Sequence, residues 1–209
     1  SIITTVSGTL IGLTLTTLGA YVLSKRDLVG REFLAMFVFF TLIFQGGLIP
    51  TFIVVKSLHL TNTLFAVLLP PAIQVVFMVL MRNFFEQIPK SLLEAAEIDG
   101  ASPMKVFLFI VLPLSKAGLA AIGLFYIVQY WNSFFEYIMY ISDPNLFNFQ
   151  LKLRELILSQ QALGDVIIAG YDNMVQNAAV IVAMLPFLFI YPFAQRYFIT
   201  GVTLGAIKE

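Results

Sequence analysis

The 209-residue chain is 59% hydrophobic and 11% charged, with a mean hydropathy of +0.92. A soluble domain carries roughly 25% charged residues, so the composition is that of a membrane protein. Twelve basic and twelve acidic side chains leave no net charge and no bulk argument for nucleic-acid binding, while the absence of cysteine and a single histidine, His59, exclude disulfides, thiol chemistry and a multi-histidine metal site.

Residues 2–23 form the first apolar run, long enough for a hydrocarbon core that needs about 20 helical residues. It starts at a non-initiator Ser1 without a basic leader, so it reads as a true span rather than a signal peptide, with something upstream. Thr4, Thr5, Thr14, Thr16 and Thr17 can bond helix carbonyls, and Gly8, Gly12 and Gly19 permit close approach, so this span is expected to pack against protein. A basic loop follows at residues 25–32. The second span, about residues 33–55, contains Gln45-Gly46-Gly47-Leu48-Ile49-Pro50. Irregular backbone at that depth is tolerated only where protein or a water-filled cavity satisfies it, so this stretch either lines a pathway or is a packing kink. The third span, about residues 63–81, holds Gln74 and Pro70-Pro71, which must bend or interrupt it.

Charge concentrates in residues 82–113. Ser91 followed by Glu94 has capping-box spacing, and Gly100 stands where a helix closes in a left-handed residue, so a short helix outside the membrane is expected over residues 92–99. Ser102 and Pro103 are the N-cap and first position of the next helix. The fourth span, about residues 106–137, is broken by Pro113 and carries Gln129, Trp131, Asn132 and Glu136 toward its end. Aromatic residues there suit an interfacial belt. Residues 142–176 are the largest segment outside the membrane, with an amphipathic helical pattern over 150–160 that carries Lys152 and Arg154. A last span, about residues 178–193, leads to a tail at 195–209.

Glu94-Ala95-Ala96, three residues, Gly100, nine residues and Ile110-Val111-Leu112-Pro113 together resemble the EAA loop of bacterial ABC-importer permease subunits. The tail, with Tyr197, Gly201, Gly205 and Lys208, resembles that of the second permease subunit in carbohydrate importers of the maltose type. The resemblance implies an all-α polytopic membrane protein with one permease domain over residues 1–209. Five of the family's six spans would lie in this chain, with the first missing. Residues 89–105 would be a cytoplasmic coupling loop that seats on an ATPase subunit, using Glu94, Ala95, Ala96, Asp99, Gly100 and Pro113, and the four tail residues would add contacts to it. The implied partners are a second homologous permease, two ATPase subunits that use ATP and Mg, an extracytoplasmic solute-binding protein and the lipid bilayer. Gln45, Gln74, Gln129, Trp131 and Asn132 are the candidate translocation path; Gln129 and Asn132, three apart, share a helix face. Lys152 and Arg154 in the 142–176 loop are candidate contacts for the binding protein. The implied substrate is a carbohydrate, an oligosaccharide, and the two cations suit an acidic one such as an alginate fragment.

Orientation follows from charge alone. Lys25, Arg26, Arg31, Arg82, Lys90, Lys105, Arg196 and Lys208 fall on one side against Lys56, Lys152 and Arg154 on the other, which places the loop of Glu94 in the cytoplasm. The chain carries no phosphate-binding loop of the GxxxxGK[ST] type, so it is not expected to hydrolyse ATP or to hold a cofactor. Two other classes make different demands on the sequence. An ion-coupled transporter or channel needs intramembrane ionisable groups, for which Glu136 and Lys116 are candidates. An intramembrane enzyme would need a Ser/His, paired-Asp or metal-ligand constellation, and the spans hold none.

Overall fold

The computed structural model describes residues 1–162, 174, 177–186 and 188. Among the described residues, all regular structure is helical. Helix α1 (Ile2–Ser24) matches the first expected span and is by itself long and apolar enough to cross a membrane.

The next three expected spans are each divided, and the sequence shows why. The second is two helices, α2 (Arg31–Ile43) and α3 (Leu48–Ser57), bent by 113°. Gly46 and Gly47 supply the turn, and Gly47 enters α3 at φ +84°, a conformation that side chains rarely adopt. The third is α4 (Leu64–Leu68) and α5 (Val75–Glu86), separated where Pro70 and Pro71 remove consecutive backbone donors. Helix α5 runs on to Glu86 rather than stopping near residue 81. Helix α6 (Lys90–Ile98) follows, and then the fourth span, made of α7 (Pro103–Leu114) and α8 (Lys116–Trp131) at 83°. The π-helical turn Phe107–Val111 lies just before Pro113, and the ladder ends at Ser115, whose N–H is shared between the carbonyls of Val111 and Leu112. Helix α9 (Phe135–Tyr140), a 3₁₀ turn (Pro144–Leu146), α10 (Phe149–Ala162) and the apolar α11 (Asn177–Pro186) complete the described chain. The expected tail lies outside the described residues, as does most of 163–176.

The core forms where α1 packs on α5 and α8. Gly8 and Gly12, one turn apart, leave room for two rings of α8. A Cβ at Gly8 would stand 2.6 Å from the Tyr130 ring, and one at Gly12 2.7 Å from that of Tyr126. One turn further, Thr16 bonds the Tyr126 hydroxyl at 2.6 Å. The glycine and threonine content of α1 thus serves close helix packing, as expected for this span.

Candidate functional site

Two features stand out. One is an exposed elbow at α6, and the other is a cleft where the helix interruptions meet.

In the elbow, α6 begins at Lys90, two residues earlier than the capping-box spacing suggests. Pro89 occupies the N-cap position, Leu92 N–H bonds the Pro89 carbonyl, and Ser91 lies within the first turn without capping it. Proline at this position fixes the entry angle, so no side-chain cap is needed to set the start. The other end follows the expectation. Gly100 adopts φ +78°, its N–H bonds the Glu97 carbonyl, and Ala101 N–H bonds the Ala96 carbonyl, the paired closure that a left-handed glycine permits. Ser102 then accepts from Lys105 N–H and caps α7 with Pro103 at its first position.

No residue of α6 is buried. Glu94, Ala95, Asp99 and Gly100 are exposed and Ala96 is half-buried against the core, so the elbow presents a small-residue surface flanked by carboxylates. Pro113 lies at the far end of α7 from this surface, where it shapes the bend into α8. The elbow rests on the end of α1. Tyr21 donates to the Pro103 carbonyl at 3.1 Å, Lys25 pairs with Glu97 at 3.8 Å, and Arg31 pairs with Glu86 at 3.0 Å.

The cleft, of about 640 Å³, opens between the α2–α3 break, the α4–α5 break and the start of α9. Gln45, Gln74 and Glu136 line it, together with Pro70, Pro71 and Tyr140. The interruptions leave irregular backbone and the polar side chains of Gln45, Gln74 and Glu136 along this cleft, which suits a passage for a hydroxyl-rich or charged solute.

The other candidate path residues are used elsewhere. Gln129 donates its amide to the Pro71 carbonyl at 3.3 Å, behind the cleft wall. Trp131 donates its indole N–H to the Ala183 carbonyl at 3.2 Å and so ties α8 to α11. Asn132 caps the end of α8 and bonds the Val128 carbonyl. Although Gln129 and Asn132 are three apart, the first faces the proline break and the second is exposed. Glu136, which the sequence offers as an ionisable group for an ion-coupled transporter, stands in the cleft with the two glutamines. A carboxylate one short loop beyond a helix end, inside an apolar stretch, was the available signal. Lys152 and Arg154 are exposed on α10, with the Arg154 guanidinium 4.8 Å from the Phe134 ring centre. Among the described residues, no group of three His, Cys, Asp or Glu is placed to hold a metal.

Residues 8–204 match the family described as binding-protein-dependent transport system inner membrane component. The chain is 42% identical, over all of its length and 75% of the other protein, to the polygalacturonan/rhamnogalacturonan transport system permease protein YtcP of Bacillus subtilis. It is 30% identical, over 90% of its length and 65% of the other, to the arabinooligosaccharides transport system permease protein AraQ of Halalkalibacterium halodurans. Among solved structures it superposes with a TM-score of 0.86 and 30% identity on a chain of a bacterial ABC transporter involved in the import of the acidic polysaccharide alginate, covering 94% of this chain and 72% of that one.

Proposed function

We propose that this chain, which belongs to the family of binding-protein-dependent transport system inner membrane components, is a permease subunit of an ABC importer that carries a carbohydrate oligomer across the bacterial inner membrane. The observation that carries the reading is the elbow: a helix with no buried residue, closed by Gly100 and followed at once by α7, which leads into the core. A helix so placed is a docking surface with a stiff connection to the membrane part. An ATPase subunit seated on Glu94, Ala95, Ala96 and Asp99 would pass its closure into α5 and α7.

In this reading ATP and Mg are used by two partner ATPase subunits, and this chain supplies no catalytic group. A second permease faces the open side of the cleft and completes the path past Gln45 and Gln74. A solute-binding protein docks on the opposite side, where Lys152 and Arg154 are exposed. The tail residues Tyr197, Gly201, Gly205 and Lys208 add to the ATPase contact. An acidic oligosaccharide is the favoured substrate, because the relatives include a polygalacturonan permease and an alginate importer. The family match favours this class over an ion-coupled transporter, although Glu136 in the cleft is the kind of group that class needs.

The test is ATPase activity of the reconstituted complex with its binding protein loaded by a panel of neutral and acidic oligosaccharides. Stimulation by one loaded form supports the importer and identifies its solute. Uptake that follows an ion gradient with no copurifying ATPase would reject it.

A further inference from the structure

The geometry points to the junction of α1 and α2, held by Arg31 and Glu86, as a positioning element that moves with the elbow and carries its motion to the cleft through α2. The inference rests on the importer reading, in which α6 is driven by an ATPase. Along the chain the elbow connects directly to the third and fourth spans.

Three ties join the α1–α2 junction to the elbow, and they fall before, within and after α6. Before it, Arg31, the first residue of α2, places Nη2 3.0 Å from Glu86 Oε1, and Glu86 is the last residue of α5. Within it, Lys25 meets Glu97. After it, Tyr21 bonds the carbonyl of Pro103, the first residue of α7. A displacement of the elbow as a unit, from Glu86 to Pro103, breaks all three unless the junction moves too.

The ties differ in strength. Lys25 and Glu97 are separated by 3.8 Å and well exposed, so that pair contributes little. Arg31 is better placed: its Nε also donates to the Leu23 carbonyl at 2.8 Å, in the last turn of α1, where a cation meets the negative end of the helix dipole. One guanidinium therefore holds the end of α1, the start of α2 and the end of α5. Arg82 bonds the same Glu86 oxygen at 2.8 Å from within α5, so removing Arg31 cuts the tie between helices without leaving Glu86 alone.

Helix α2 is suited to carry the motion. Its 13 residues make a rod of about 20 Å. It has no buried residue and touches chiefly α5 and α1. Its far end enters the cleft wall at Thr41 and Leu42, and beyond it Gly46 and Gly47 form a swivel into α3.

Because the chain has no cysteine, two introduced thiols can be labelled without background from it. Spin labels at Phe37→Cys on α2 and Val128→Cys on α8, both exposed positions, report the separation of the two helices in the complete reconstituted complex. The parent is expected to show a different separation in the resting and vanadate-trapped states. Arg31→Ala is expected to lose that difference and to transport about tenfold less solute per ATP while hydrolysis continues. Arg31→Lys, which keeps the charge on Glu86, is expected to recover most of both. A normal distance change and normal uptake in Arg31→Ala would overturn the inference, and so would an actively transporting parent whose α2 stays still. A parent with neither stimulated ATPase nor ATP-driven uptake would instead overturn the importer reading, and this one with it.

Discussion

Tyr130 donates its hydroxyl hydrogen to the Leu68 carbonyl at 2.8 Å, reaching from α8 to the helix that Pro70 and Pro71 interrupt. Two neighbours do the same for the rest of the break. Gln129 serves the Pro71 carbonyl, and Tyr126 donates to that of Ala72 at 3.0 Å while lying 3.4 Å from Gln74 N–H. With the single Tyr126 proton on Ala72, Thr16 must be the donor in the 2.6 Å contact between the two hydroxyls. Carbonyls in and beside the proline break are thus satisfied by one face of α8, which keeps the cleft wall at Pro70, Pro71 and Gln74 in place.

Removing these hydroxyls should therefore weaken the fold without emptying space. Tyr130→Phe keeps the ring on Gly8 and orphans one carbonyl, a loss of about 1 kcal/mol. Tyr126→Phe removes the partner of three groups and should cost more, about 2 kcal/mol. Thermal unfolding of the purified protein in detergent checks the order; a Tyr126→Phe variant as stable as the parent would contradict it.

Gly8 and Gly12 test the other side of the same rings. Alanine at either site places a methyl group within 2.6–2.7 Å of aromatic carbons that are themselves fixed by hydrogen bonds, so α1 must move away from α8. Each substitution should destabilise by about 1–3 kcal/mol. Gly123→Ala, whose added carbon would meet only Leu13 Cδ1 at 3.4 Å, is the control expected to be tolerated. Losses at Gly8 and Gly12 as small as that at Gly123 would show that helix packing here is looser than the distances indicate.

Gly100 presents a different case, because nothing lies within 4 Å of the position a Cβ would take and the constraint is φ +78° alone. Gly100→Ala should cost about 1 kcal/mol, and Gly100→Asn less, since asparagine tolerates the left-handed region. In the importer reading the two variants should rank in the same order for binding-protein-stimulated ATPase activity. An alanine variant with normal stimulation would indicate that the elbow angle does not matter for coupling.

The positions of the helix ends were legible in the sequence where a residue leaves the backbone little choice. Gly100, Ser102-Pro103 and Pro70-Pro71 mark boundaries that recur in the fold. Ser91 misled because a side-chain cap competes with the fixed φ of Pro89, and the proline won. The size of the bend at Gly46-Gly47 was not legible either: two glycines permit many angles, and no residue in that stretch selects 113°. Gln129 shows a further limit. A polar side chain on an apolar helix could face a pathway or satisfy a neighbouring helix, and only the place of the α4–α5 break separates the two.

Glu136 bears on the substrate. Its carboxylate lines the cleft with Gln45 and Gln74, and among the described residues no Lys or Arg joins that lining. A uronate passing about 6 Å away would meet a repulsion of about 2–3 kcal/mol at an effective dielectric constant near 20, reduced by salt. Glu136→Gln keeps the size of the side chain, exchanges one acceptor oxygen for an amide donor and removes that repulsion. For an acidic oligosaccharide the variant should lower the KM for uptake about three- to tenfold, with the gain shrinking as ionic strength rises, while a neutral oligosaccharide of the same length should change by less than about twofold. If both solutes lose uptake together, the carboxylate acts as a hydrogen-bond acceptor for sugar hydroxyls instead. If neither responds, the solute does not pass this wall of the cleft, and the path must be formed on the partner permease.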